Sequence, residues 1–379
     1  MKIRALALAI WFVALALAAA AAPAAEPSLR TGFVYDWWKD TKDGTGRQAY
    51  IPVRVEVKDQ ELTIGLLSGI QHTQFDRAGQ TNRTLSSALD TKVTSSYAIL
   101  GKLPVDVLLG LDLNLPTGKT NLAQEDLVLL MDPELVSING FGEGFNVNPS
   151  ISVAKAWENW IAGLGVGYAW RGKYDFSTDL GMKDFEPGDI VTANAVAKYG
   201  FAPGWSARFF GSAAWYRKET AQGAALYREG DFYAVGAGLD RSWENTSAGV
   251  TLKSVLRRKS RITNGSGGLS PESNNIHGDE WWVLANLRHQ LDGKTTLSSD
   301  LTGLLVAENG YPRDSTRHVG KRWKVALGVG VARDLGEGVE AGLSLKGFTM
   351  HDDEANFPQF RSARSYRGAS AVLSLGKNF

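Results

Sequence analysis

From residue 29 onward the chain alternates apolar and polar positions with a period of two, about sixteen times over. The candidate strands run at 29–38, 48–58, 61–74, 91–102, 104–115, 147–157, 160–172, 188–201, 204–217, 229–241, 245–256, 276–290, 294–307, 321–334, 338–351 and 367–379. None of the segments between them reads as a long amphipathic helix. The connections alternate as well. Lys-Asp-Gln at 58–60, Leu-Pro at 103–104, Glu-Asn at 158–159, Pro-Gly at 203–204, Glu-Asn at 244–245, Asp-Gly at 292–293 and Gly-Glu-Gly at 336–338 are tight-turn sequences. The others, 39–47, 75–90, 116–146, 173–187, 218–228, 257–275, 308–320 and 352–366, are long and polar. Short turns at one end and long loops at the other predict an all-β fold. The expected architecture is a transmembrane antiparallel up-and-down β-barrel of about 16 strands (roughly 14–18), with periplasmic turns and extracellular loops.

The faces of single strands support this. In 160–172, Trp160, Ala162, Leu164, Val166, Tyr168 and Trp170 share one side, and Gly163, Gly165, Gly167 and Ala169 the other. A soluble sandwich would turn such an apolar side inward. Aromatic residues clustered at strand ends, long strands and a terminal Phe379 favour lipid outside instead. Trp157, Trp160, Trp205, Trp243 and Trp323 are expected to mark the periplasmic girdle, which accounts for a count of 12 tryptophans. Lys377, at an outward position of the last strand, is expected to snorkel to the interface.

The N-terminus departs from this pattern. Lys2 and Arg4 precede an apolar run from Ala5 to Ala22, followed by Pro23, Ala24 and Ala25, so residues 1–25 are expected to be a secretory signal peptide and 26–379 the barrel. An N-terminal membrane anchor is the other reading. The chain has no cysteine, which excludes disulfide and thiol chemistry, and its net charge of +1 gives no pull towards nucleic acid. Gly118-Lys119-Thr120 ends like a phosphate-binding loop, but Leu113 stands where that loop needs glycine. No cofactor and no metal site are implied.

About sixteen strands enclose an aqueous lumen, so charges on inward faces carry the functional expectation. Asp36, Arg54, Glu56, Lys92, Asp106 and Asp112 fall on inward faces of early strands. Lys198, Arg208, Lys253, Arg257, Arg288, Arg322, Lys324 and Lys346 do so later, with Glu280, Asp300 and Glu340 among them. A basic wall is one reading; charges paired with cross-strand neighbours are the other. The third loop, 116–146, holds Glu125, Asp126, Asp132, Glu134 and Glu143 against Lys119, and also the apolar run Leu127 to Met131. That run has no reason to sit in water. It packs as a short helix folded into the mouth, caps the pore, or meets a neighbouring subunit. Folded inward, its acids would face the basic wall across a constriction, with Gly140, Gly142 and Gly144 allowing tight re-entry.

The segments "DVLLGLDLNLPTGKTNL" and "LLMDPELVSINGFGEGFNVNPSISVAKAW", with the short-turn hairpins, resemble the outer-membrane transporter-like barrels of the meta-pathway of phenol degradation. The third-loop arrangement is also similar to general diffusion porins. The resemblance implies an outer-membrane channel for small solutes, aromatic or other small organic compounds, and no set of functional residues. Two other classes stay open: a structural or export-conduit barrel enclosing a partner polypeptide, and an outer-membrane hydrolase. Among His72, His277, His289, His318 and His351, the best catalytic candidate is His277 with Asp279 and Glu280. The run Arg257-Arg258-Lys259-Ser260-Arg261 is expected to meet phosphates of outer-membrane lipid, lipopolysaccharide included. The oligomeric state is not legible.

Overall fold

A computed structural model describes residues 25–79 and 81–379, so residues 1–24 of the expected signal peptide lie outside the described residues. Seventeen strands join in one antiparallel sheet, and the pairing of Ala25–Asp40 with Arg364–Asn378 closes it into a barrel. Arg83–Ala88 and Thr91–Ile99 both pair with Leu62–Arg77, at its two ends, so together they fill a single position and the wall has 16 strands. The other members follow in chain order: Gly44–Asp59, Asp106–Leu115, Asn146–Trp157, Trp160–Arg171, Ile190–Ala202, Trp205–Tyr216, Phe232–Trp243, Thr246–Arg257, Glu280–Gln290, Thr295–Val306, Arg322–Gly336 and Val339–Asp352. No helix of the described residues is long and apolar enough to cross a membrane; the strands cross it.

The exterior is apolar where the alternation places it. Leu164 and Val166, 62% and 53% exposed, Leu327 and Val329, and Leu373 and Leu375 all project outward. Trp157, Trp160, Trp205 and Trp243 ring the end with short turns, and Trp160 stacks on Tyr199 with centroids 4.5 Å apart. Trp323 corrects the expected girdle. Its strand begins after a long loop and runs down to the turn at 337–338, so Trp323 stands at the extracellular end, with Trp170, Trp215 and Trp281. Lys377 is outward, over the ring of Phe379 at 5.5 Å.

Several long connections are more ordered than their polarity suggests. The expected loop 39–47 is a turn of Thr41–Asp43, because Asp40 Oδ1 accepts the N–H groups of Lys42 and Gly44 at 2.7 and 2.8 Å. Part of 75–90 is the strand Arg83–Ala88. Loops 217–231 and 258–279 build a separate four-stranded sheet, an extracellular crown made of Glu219–Ala221, Ala224–Arg228, Arg261–Thr263 and Leu269–Pro271.

Candidate functional site: the third loop inside the barrel

The third loop leaves the wall at Pro116 and folds into the barrel. Its start and its end are held by one side chain. Asp90 sits in the break between Ala88 and Thr91. It accepts the N–H of Gly118 at 2.8 Å through Oδ1, and the N–H of Glu143 and the amide of Asn114 at 2.7 Å through Oδ2. Thr117 Oγ1 donates to Leu89 O and accepts from Thr91 N. The loop tip is gripped by two inward residues of the first hairpin. Asp36 Oδ2 accepts the N–H of Ser137 at 2.7 Å, and the Gln48 amide both accepts from Ile138 N and donates to Ile138 O, at 2.9 and 2.6 Å. Asp36 and Gln48 are buried at 4% and 1% exposure, and the Gln48 amide also donates to Thr73 of the neighbouring strand at 3.2 Å.

Between these anchors the apolar run is covered. Gln124–Leu129 is a short 3₁₀ helix. Leu129, Met131, Leu135, Val136 and Phe141 pack with Trp38, Phe75, Met350 and Tyr366 of the inner wall. The Trp38 indole N–H points at Met131 Sδ, 3.3 Å away. An apolar patch on the inner wall near the mouth thus receives the loop's apolar run, and the two remove each other from water. Of the three expected glycines, Gly142 and Gly144 serve the re-entry: Gly142 lies against Lys119 and Gly118, and Gly144 has φ +79 beside Tyr174. A Cβ at Gly140 would meet nothing, so that position does not require glycine for space.

The five acids of this loop named from the sequence divide. Asp132 Oδ2 meets Arg322 Nη1 at 2.7 Å, and Arg322 also forks onto Asp352 at 2.6 and 2.9 Å. Glu134 Oε2 meets Lys324 Nζ at 2.9 Å, and that ammonium also donates to Glu134 O. Glu125 pairs with Arg83 at 2.7 Å, and Asp126 with Lys119 at 3.5 Å. Glu143 is exposed, with no cation in ion-pair range among the described residues. The expectation of acids facing Arg322 and Lys324 across a gap is therefore corrected: the loop lies on that part of the wall and neutralises it by contact.

The cations divide as well. Lys346 pairs with Asp300 at 3.0 Å, and Arg257 with Glu229 and Glu280. Lys198, Arg208, Lys253 and Arg288 have no carboxylate in ion-pair range among the described residues. They belong to Ile190–Ala202, Trp205–Tyr216, Thr246–Arg257 and Glu280–Gln290, with Trp205–Tyr216 diametrically across from Ala25–Asp40. Arg208 Nη2 donates to Thr251 at 3.0 Å and lies 6.0 Å from the Phe210 ring; Lys253 Nζ lies 4.4 Å over Trp282. The loop thus lies on the wall around Ala25–Asp40 and Arg322–Gly336, while strands across the barrel carry the unpaired cations, two of them beside aromatic rings.

Asp36 was placed inward from the sequence, but its part in the anchor was not; Asp90, Gln48 and Asn114 were not singled out at all. His277 Nε2 meets Glu229 at 3.0 Å rather than Asp279 or Glu280, so the expected i, i+2 pair is not a unit. His72, His289 and His351 face Ser86, Thr246 and Ser365, and no group of three or more metal-ligating side chains is assembled among the described residues.

No known protein-family profile matches the chain, and no curated protein matches it in sequence. In structure it is similar to OccK7 (OpdD) of Pseudomonas aeruginosa, at 10% identity over 94% of this chain and 100% of that one, with a TM-score of 0.48. It is similar at the same identity and TM-score to OccAB1 of Acinetobacter baumannii, over 94% of this chain and 97% of that one, 10% and 0.48. A deltaS2S3 mutant of the monoaromatic hydrocarbon channel TodX is similar at 10% identity over 96% and 92%, with a TM-score of 0.42.

Proposed function

We propose that the barrel is a non-catalytic outer-membrane channel for small solutes, with the docked third loop as its constriction and organic anions, aromatic ones included, as its favoured cargo. The observation that carries this is the quartet Lys198, Arg208, Lys253 and Arg288, without a carboxylate partner among the described residues, on strands across the barrel from the hairpin that grips the loop tip; Lys198, Arg208 and Arg288 line the passage towards its short-turn end, below the loop. Uncompensated charge lining a narrow aqueous path attracts ions of opposite sign. Phe210 and Trp282 beside two of these cations add flat apolar surface for a planar organic group. A loop packed on the inner wall also takes up room that an enclosed partner polypeptide would need. In this reading lipopolysaccharide is the lipid neighbour on the cell surface.

The test is single-channel conductance and ion selectivity in a planar bilayer, for the wild type and a variant lacking residues 122–140. An anion preference that the deletion widens or abolishes supports the channel. If neither protein conducts, the conduit or hydrolase reading takes its place.

A further inference from the structure

The extracellular crown carries a charge pattern that conduction does not use. Tyr227 pairs with Ile262 and Arg228 with Arg261, and this register brings two loops together. Arg217, Lys218 and Arg228 of one then stand beside Arg258, Lys259 and Arg261 of the next. Two grooves result. One of about 520 Å³ is bordered by Arg228, Arg258, Lys259 and Arg261. The other, about 590 Å³, is bordered by Arg217, Lys218, Arg228 and Arg261. Of the six cations only Arg228 has a carboxylate in ion-pair range among the described residues, Asp231 at 3.2 Å. Glu229, the other acid at the first groove, is taken by His277 and Arg257.

The patch stands at the upper edge of the membrane-facing surface. Arg258 lies over the Tyr233 ring at 5.6 Å, and Tyr233 shares its strand's outer face with Val235 and Leu239, which are exposed to the membrane side. Leu256, on the adjacent strand, is exposed on the same face. Arg257 turns the other way, into the lumen, so the expected run 257–261 contributes three of its four bases to this surface. The remainder come from a loop some forty residues earlier, joined to it by the crown sheet.

We infer that this composite patch binds the phosphates of an outer-leaflet glycolipid, the lipid A part of lipopolysaccharide. Fixed cations at a membrane rim attract anionic headgroups, and guanidinium forks match phosphate oxygens. The outer-membrane reading supplies only the lipid that the crown would meet; the patch itself does not depend on conduction.

The experiment measures binding of bisphosphorylated lipid A, and of the same lipid dephosphorylated, to the purified full-length protein in detergent micelles. The proteins are the wild type, the combined variant R217Q, R258Q, K259Q and R261Q, and the charge-keeping variant R217K, R258K and R261K. The wild type is expected to bind the phosphorylated lipid at least tenfold more tightly than either the dephosphorylated lipid or the glutamine variant does. The lysine variant is expected to keep most of that affinity, which separates charge from damage to the crown. Equal binding by wild type and glutamine variant overturns the inference. So does full competition by free pyrophosphate at the concentration of the lipid, which would mark a soluble-anion site. Conductance of the glutamine variant in a bilayer without lipopolysaccharide is expected to equal that of the wild type. Loss of conductance in both would sink the channel and leave the lipid result standing.

Discussion

Lys324 and Glu134, 190 residues apart in the chain, meet at 2.9 Å inside the barrel, and the same ammonium also reaches the glutamate's own carbonyl. A wall strand thus holds a loop by side chain and backbone together. Replacing Lys324 with Met removes one partner and leaves a part-buried carboxylate. The loop's attachment should weaken by about 2–3 kcal/mol, below the cost for a fully dry pair. Hydrogen exchange of the amides of 132–138 should quicken in this variant. Unchanged protection would mean that the apolar contacts hold the loop alone.

Gly118 offers a test of the loop's seat without any change of charge. A Cβ there would overlap the Phe141 carbonyl oxygen and crowd Asp90, so Gly118→Ala should push the two ends of the loop apart while the wall stays closed. Open-channel current noise should rise in the alanine variant. Traces as quiet as those of the wild type would place the seat elsewhere.

The open wall should respond to salt and to neutralisation. Combined Lys198→Gln, Arg208→Gln, Lys253→Gln and Arg288→Gln should move the reversal potential under a salt gradient towards cations. The wild-type anion preference should itself fade at high salt, as screening shortens from about 8 Å at physiological strength to about 3 Å at 1 M. A selectivity indifferent to both changes would assign it to other groups.

The crown should loosen in acid. Burial would raise the pKa of Glu229, but the hydrogen bond and charge of His277, the charge of Arg257 and the Tyr227 hydroxyl outweigh it, and the net shift is downward from 4.5. With the folded value below the unfolded one, its contribution is complete above about pH 4.5 and is lost as pH falls through the lowered value. Proteolysis within 217–231 should therefore accelerate on acidification below 4.5, and Glu229→Gln should be sensitive already at neutral pH. Equal cleavage of both proteins at every pH would exclude this linkage.

Strand position and facing were legible because a membrane strand is alternation and little else: Lys198, Arg208, Lys253 and Arg288 fell inward by counting in twos. The third loop's inward course was legible only as one option among three, from an apolar run without a reason to be in water. What was hidden lay in pairings between distant, polar segments. Arg83–Ala88 carries no apolar stripe, and its strand form comes from Leu62–Arg77 beside it. The crown strands are three to five residues long, too short for any period to register. Trp323 was misplaced for a simpler reason: an aromatic at a strand end looks the same at either interface, and only the direction of the strand tells them apart. The pairing of Asp132 and Glu134 with Arg322 and Lys324 needed three-dimensional proximity that inward facing alone does not supply.

The seam between Ala25–Asp40 and Arg364–Asn378 has a consequence for the order of assembly. Asp40 and Arg364, 324 residues apart, meet at 3.2 Å across it, and the loop's dock on Arg322 and Lys324 lies only two strands away. Contacts of such long sequence separation come late, because chain entropy opposes them until most of the fold is in place. The first strand must therefore wait with one edge unsatisfied while the rest of the wall is added, and a chain stopped before residue 322 has neither a rim to close nor the Arg322 and Lys324 side of the dock for its third loop. Closing the barrel and completing the loop's dock are one late event.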